Sequence, residues 1–459
     1  MINRYRNSIL LSAIGDSLGW ITEFEKSSDA VNAKYKVHEI KKFYPWEKYV
    51  GGRFNGYLDT IKSGSYSDDT QLILSVARSI KNDGDIDNVY FSKIELPSWL
   101  KYARGAGRTI KNAARKIERK SASWNYNFFT FKAGNNIIDY RDSGANGAAM
   151  RILPIALANH NNFNKIKYCI FSNSIVTHGH PRAIIGAILY GYAVDLMLKQ
   201  NLKEFDYESY LTKIGRDIEQ RFELTFINQP EYGNWLAEWN CNQKKDFLQV
   251  YDETVKETLH ALREIFRFLR DGKSTKESLK ILGCFAPTTK GSGISTVVGG
   301  IYLALKHYQN PIKAILEAVN SIGADTDSVA AFAGGLIGCL YEKNIIPDDI
   351  GQIQDQEYLN NIACELYDIA NKKTTANDEK QLNIEIKSLN NIETDCFVKN
   401  ENIDFTPLGK GIITAIDRQK TLTSGKYNLI IDVKFEIGQS CKFSKLLSIK
   451  ENNAEIYFM

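Results

Sequence analysis

Proline is scarce, cysteine is scattered, and neither sign of charge prevails. Nine prolines in 459 residues, beside 32 glycines, exclude collagen-like and proline-rich disordered chains. Lys and Arg number 58 against 54 Asp and Glu, a formal charge of +4, whereas a nucleic-acid packaging protein carries a large basic excess. The seven cysteines (Cys169, Cys241, Cys284, Cys339, Cys364, Cys396 and Cys441) have no zinc-knuckle or thioredoxin-like spacing. An odd, scattered set reads as reduced thiols in a cytoplasmic protein. Long apolar runs are also missing. The longest uncharged stretches, 291–305 and 328–341, fall short of the ~18–20 apolar residues that span a bilayer. Arg4 and Arg6 precede an apolar stretch that Asp16 cuts short, and without a small-residue cleavage pattern no signal peptide is expected.

What is present is helical periodicity, up to about residue 370. Leu72, Ile73, Val76, Ala77 and Ile80 share one helical face, and similar patterns run over 152–158, 183–198, 255–269, 297–305, 312–319 and 329–340. Ala330, Ala331, Ala333, Gly334, Gly335 and Gly338 make one of these helices fit for close helix–helix approach. Strand-like alternation is rare here. The character changes at a polar stretch, 371–380, which reads as a linker. Beyond it, alternation and β-branched residues at 382–386, 411–416, 427–437 and 454–459 predict a small β domain of four or five strands. From Lys373 onward it holds 12 basic and 12 acidic residues, so it shows no electrostatic preference for nucleic acid. The expected organisation is a mainly α core, 1–372, and a small β-rich accessory domain, 373–459.

Two acidic motifs, Ser67-Asp68-Asp69-Thr70 and Gly323-Ala324-Asp325-Thr326-Asp327-Ser328, each stand just before an apolar helix. Capping explains one oxygen acceptor at each. It does not explain four carboxylates ahead of helices apolar enough to be buried, where unpaired charge is costly. Four carboxylates balance two divalent cations, and carboxylate plus hydroxyl ligation suits Mg²⁺ or Mn²⁺ rather than zinc. Glu23, in Gly15-Asp16-Ser17-Leu18-Gly19-Trp20-Ile21-Thr22-Glu23, is a third acidic element, and the paired glycines imply tight packing. Ser143-Gly144-Ala145-Asn146-Gly147-Ala148-Ala149-Met150-Arg151 leads into a helix, an entry that suits phosphate. Thr177-His178-Gly179-His180 has no Cys or acidic partner nearby, which favours a hydrogen-bonding role for His178 over zinc ligation. Lys101, Arg104, Arg108, Lys111, Arg115 and Arg119 read as one solvated helical face.

Taken in order, Gly-Asp-x-Leu-Gly…Glu, Ser-Asp-Asp-Thr, Arg-Gly-x-Gly, Ser-Gly-x-Asn-Gly-x-Ala-Met-Arg, Thr-His-x-His and Gly-x-Asp-x-Asp-Ser resemble the ADP-ribosylglycohydrolase family. That family includes the dinitrogenase-reductase-activating glycohydrolases and the ADP-ribosyl-acceptor hydrolases. The resemblance implies an all-helical fold with two Mg²⁺ or Mn²⁺ ions in a cleft. On that pattern Ser67, Asp68 and Asp69 hold one metal, Asp327 bridges, and Asp325 and Ser328 complete the second site. Glu23 matches the glutamate that approaches the scissile bond, with Asp68 and Asp69 beside it in the catalytic set. Ser143, Gly144, Asn146 and Gly147 match the ADP-ribose-binding loop, with Thr177 and His178 as a neighbouring strip and Gly105 and Gly107 lining the same cleft. Ser67 and Ser328 stand where Thr is usual, Ala324 where Gly is usual, and 200–280 is a longer insertion than the family typically has.

The implied reaction cleaves the bond at ribose C1″ through an oxocarbenium-like state. Metals orient the ribose diol and acidify a bound water, and a carboxylate, Glu23 first, positions or deprotonates that water. The expected partner is an ADP-ribosylated macromolecule, protein rather than nucleic acid, with no membrane. Two other classes stay open on the residues. One is a non-catalytic binder or an immunity protein acting against a cognate ADP-ribosyltransferase toxin. The other is a two-metal phosphoester hydrolase.

Overall fold

The computed structural model describes residues 1–373 and 387–449. Most of the expected linker and the predicted strands at 382–386 and 454–459 lie outside those residues. The core is helical and the C-terminal part is a sheet, the fold class the periodicity predicts. Its central element is the N-terminal helix Ile2–Thr22, buried along almost its whole length. A helix buried all round, with polar residues such as Asn7, Ser12 and Asp16 among the buried ones, shows little one-sided periodicity, so its sequence does not announce an amphipathic helix.

This helix packs lengthwise on helix Thr326–Gly338 through small residues. A Cβ on Gly15 would meet the Ala330 carbonyl oxygen at 2.4 Å, and one on Gly19 would meet the Asp327 Cα at 2.4 Å. From the other side, a Cβ on Gly334 would meet the Leu11 carbonyl oxygen at 2.2 Å. The backbones touch, and no side chain fits between them. Two threonine hydroxyls tie the end of the N-terminal helix to its neighbours, one across this seam and one to the helix Pro311–Val319 before it. The Thr326 hydroxyl donates to the Gly19 carbonyl (2.8 Å) and the Thr22 hydroxyl to the Val319 carbonyl (2.6 Å).

Helices Asp68–Ala77, Pro181–Met197 and Gly293–Lys306 surround this pair. Residues 200–280 form helices of their own, Tyr207–Arg221, Pro230–Asn240, Phe247–Arg270 and Thr275–Ile281. Asp246 and Gln249 close a capping box on the third of these. Two short antiparallel hairpins, Trp46–Val50 with Tyr57–Ile61 and Thr130–Ala133 with Asn136–Asp139, interrupt the helical core. Their strands are only four or five residues long, too short for alternation to register.

The C-terminal sheet has five strands in sequence order: Lys387–Ser388, Asn402–Phe405, Gly409–Lys420, Lys426–Phe435 and Ser440–Ser448. The first pair is parallel and the rest form an antiparallel meander. Strand Lys426–Phe435 is buried without a break from Tyr427 to Ile431, because it is covered on both faces. No described helix is long and apolar enough to cross a membrane.

Candidate active site

Helix Asp68–Ala77 begins where its sequence says it should. Ser67 is the N-cap, and its hydroxyl accepts from the Asp69 N–H at 3.3 Å. A carboxylate from the N-terminal helix completes the cap. Asp16, fully buried, accepts from the Ser67 N–H (3.1 Å), the Thr70 N–H (3.0 Å) and the Thr70 hydroxyl (2.6 Å). Asp16 therefore aims the Ser67-Asp68-Asp69 motif. Its one sequence signal is its place in Gly-Asp-x-Leu-Gly, and the residues alone do not distinguish it from a solvated aspartate.

Segments far apart in sequence meet at one cleft of about 580 Å³. Glu23, Asp68, Asp69, Gly105, Gly107, Asn146, Gly147, His178, Asp325, Asp327 and Ser328 all line it. The acidic groups interlock: the Ser328 hydroxyl donates to Asp69 (2.8 Å), the Asn146 amide to Asp325 (3.0 Å) and the Ser328 N–H to Asp327 (2.8 Å). Glu23, Asp325 and Asp327 each offer a carboxylate oxygen, and these oxygens lie within 4.8 Å of one another.

Ser67, Ser143, Gly144 and Thr177 do not line the cleft. Ser67 stands behind Asp68 and Asp69 as their cap, and the Ser143 hydroxyl donates back to the Asp139 carbonyl. The Gly144 carbonyl accepts from the Gly293 N–H (3.0 Å), while the Asn146 N–H donates to the Gly291 carbonyl (2.9 Å). That loop thus spends backbone groups on its neighbour rather than offering all of them to phosphate.

Burial, then like-charge repulsion, pushes these carboxyls up. Asp68 reaches about 7, by burial first and then the charge of Asp16. Burial holds Asp69, Asp327 and Glu23 well above the carboxylate range, followed by Asp16 for the first, Glu23 for the second and Asp325 for the third. Asp325 is raised by burial as well. Two of the cations that act on these carboxyls, Lys48 and Lys111, are themselves lowered by desolvation. So many desolvated carboxyls with so little compensating charge, all presenting oxygen, form a donor set that suits a hard divalent cation.

His178 is neutral, because burial and then the Arg151 charge push it down to about 3. Its Nδ1 faces the Thr177 hydroxyl at 2.8 Å, and a Cβ on Gly147 would meet its Cε1 at 2.8 Å. Glycine at 147 is what lets the ring lie against the loop. Arg151, also buried, ties that loop down by donating to the Gly147 carbonyl (2.7 Å) and to Asn173 (2.8 Å). Part of the remaining wall is apolar: Ile110, Phe131, Ile138, Met150 and Pro287. Phe131 and Ile138 sit on a hairpin that the sequence did not announce. The basic run does not form a single solvated face. Arg108 lines the cleft, Lys111 is partly buried and feels the Asp68 charge, and Arg104 donates to Gln354 at 2.9 Å.

Among relatives of known name, the chain is 24% identical over 359 residues to the ADP-ribosylhydrolase ARH3 of Danio rerio, covering 76% of this chain and 85% of that one. It is 21% identical to the ADP-ribosylarginine hydrolase Tri1 of Serratia proteamaculans, over 80% of each chain. A solved structure titled ADP-ribosylglycohydrolase-related protein complex superposes with a TM-score of 0.46 at 18% identity, covering 80% of this chain and 98% of that one. The family model for ADP-ribosylglycohydrolase matches residues 1–376. With the acidic motifs gathered in one cleft and that model spanning the helical core, the chain belongs to the ADP-ribosylglycohydrolase family and is a glycosidic hydrolase of ADP-ribosylated substrates.

Proposed function

We propose that the chain removes ADP-ribose from modified protein side chains in a reaction that depends on two Mg²⁺ or Mn²⁺ ions. The observation that carries this reading is the meeting of Glu23, Asp68, Asp69, Asp325, Asp327 and Ser328 in one cleft. Asp68, Asp69, Asp325 and Asp327, with the hydroxyl of Ser328, are the residues to hold the ions, while Ser67 caps the helix behind them. When bound, such ions polarise substrate oxygens and acidify water. Glu23, half-buried at the C-terminal end of its helix, is the carboxylate assigned in this reading to position, or accept a proton from, the attacking water. The neutral His178 and the Asn146 amide offer hydrogen bonds to the ribose and phosphates. Phe131, Ile138 and Met150 supply an apolar wall of the kind a purine needs. A protein acceptor accords with the near-neutral chain, and one relative is named for ADP-ribosylarginine.

The test is release of free ADP-ribose from substrates modified on arginine, serine, thymine and guanine, compared side by side with and without a chelator. Release from a protein side chain that chelator abolishes and Mg²⁺ or Mn²⁺ restores is the expected result. Release only from bases, or release indifferent to chelator, overturns the corresponding part of the reading.

A further inference from the structure

The C-terminal sheet, which begins at Lys387, lies wholly beyond the family match, yet it grips both ends of the helix that carries Asp68 and Asp69. The grip at the N-terminal end is Asp355. Its side chain is 2% exposed and faces donors only. It accepts from the Tyr66 hydroxyl (2.9 Å), the Ser440 N–H (2.7 Å), the Ser440 hydroxyl (2.8 Å), Lys434 (2.9 Å) and the Gln354 amide (3.1 Å). Tyr66 is the residue before the Ser67 cap, whereas Lys434 and Ser440 belong to the sheet. One carboxylate therefore bridges the two. The residue before Asp355 reinforces the link, because the Gln354 N–H donates to the Gly64 carbonyl (2.9 Å) and its side-chain amide to the Ser440 carbonyl (3.0 Å).

At the other end of the helix, Arg78 donates to Gln439 (2.7 Å) while buried against Glu95 (2.8 Å). A third contact runs to the glycine turn of the cleft. Gln71, on the same helix, accepts from the Arg104 N–H and the Trp99 indole (both 3.1 Å). The intervening Tyr102 ring packs edge-on against Phe405 and Phe443 of the sheet, with centroids 6.0 and 5.9 Å apart. Gly105 then turns at φ +78, where an added Cβ would come within 3.0 Å of Asp68 Oδ1.

We propose that the C-terminal sheet positions the catalytic aspartates, with Asp355 as the positioning residue that transmits its hold through Tyr66 to Ser67, Asp68 and Asp69. The proposal rests on the reading of those aspartates as part of the active site. Removing one hydrogen bond from this buried shell weakens the hold on the aspartates, and only part of that loss reaches the barrier of the reaction. A loosened grip is thus visible in turnover.

The test uses the full-length chain with Tyr66→Phe, Ser440→Ala and Asp355→Asn, read in two independent ways. The last of these turns an amide N–H₂ toward a shell made only of donors, so it is the most severe of the three. In turnover, the expected result is a kcat lower by about three- to tenfold for Tyr66→Phe and Ser440→Ala. KM for the ADP-ribosylated substrate stays within about twofold, since these residues touch nothing in the cleft. In amide hydrogen exchange, faster exchange at 64–71 and 101–107 with unchanged exchange in helix Thr326–Gly338 is expected for all three. A native kcat in Tyr66→Phe and Ser440→Ala, or unchanged exchange at 64–71, overturns the proposal and leaves the sheet a stabilising element alone. If the native chain hydrolyses no ADP-ribosylated substrate, the functional reading fails separately, and the exchange data still decide whether the sheet holds the aspartates.

Discussion

Glu23 and Asp327 show how single residues here are placed at the expense of stability. Glu23 is the first residue beyond the N-terminal helix, and burial next to Asp325 raises its carboxyl. Glu23→Gln keeps the shape and removes the proposed base. It is expected to lower kcat by about 10²–10⁴-fold with little change in KM, measured as ADP-ribose release; a fall of less than about fivefold would sink the assignment. Asp327→Asn separates stability from function. It relieves repulsion with Glu23, Asp325 and Asp69, so the metal-free variant is expected to melt about 1–3 °C higher than the native chain while losing detectable activity. A lower melting temperature would show that Asp327 is held by compensated contacts and not by a cation. Asp16 marks the limit of reading at this scale. Its partners, Ser67 and Thr70, are more than fifty positions away, and only folding shows that it is their acceptor.

At the scale of elements, the seam between Ile2–Thr22 and Thr326–Gly338 sets Asp327 against the helix that carries Asp16 and leads into Glu23. Gly19→Ala puts a Cβ on the Asp327 Cα, and overpacking of this kind typically costs about 1–3 kcal/mol. Denaturant unfolding is expected to show that loss together with reduced turnover, because the backbone that must move carries Asp327. Gly215→Ala is the control. Nothing lies within 4 Å of its added Cβ, and it is inside helix Tyr207–Arg221. There alanine is expected to stabilise by about 0.5–1 kcal/mol and leave turnover alone. Equal losses in both variants would rule out the seam as the cause. The sequence announced the seam through glycine spacing, but the partner of each glycine is a matter of packing.

For the whole molecule, the acidic cleft predicts a particular dependence on pH. Asp68 moves from the ordinary 3.8 to about 7 on folding, and Asp69, Asp325 and Asp327 are raised as well. The folded chain thus holds more protons than the unfolded one across this window. By linkage, its contribution to stability is full below about pH 4 and is lost as pH rises toward 7 and beyond. The metal-free protein is therefore expected to lose melting temperature between about pH 5 and 7.5, and millimolar Mg²⁺ or Mn²⁺ to restore it at the upper end. A flat profile, or no effect of the ions, would refute this. Long-range organisation is likewise a property of the whole. The sheet reaches Asp68 and Asp69 through Asp355, from a position nearly three hundred residues away.

Local pattern was enough for the helical class, the sheet at the C-terminal end, the Ser67 cap and the acidic motifs, because each depends on neighbours within a few residues. The cap expected at the second motif does not form, since Asp325 makes no side-chain cap bond. Six motifs in order also carried the family, which the match over 1–376 bears out. The short hairpins were not legible, since four- or five-residue strands leave too few positions for a period to show. Nor was the division of labour within the motifs. Ser67 and Thr177 read like Asp68 and His178 in sequence, yet the first pair stands behind the cleft and the second lines it. It took the folded chain to show which carboxyls share one cavity, which glycine admits a neighbouring ring, and that a buried aspartate ties the sheet to the active-site helix. Those depend on contacts between segments hundreds of residues apart, for which no local pattern exists.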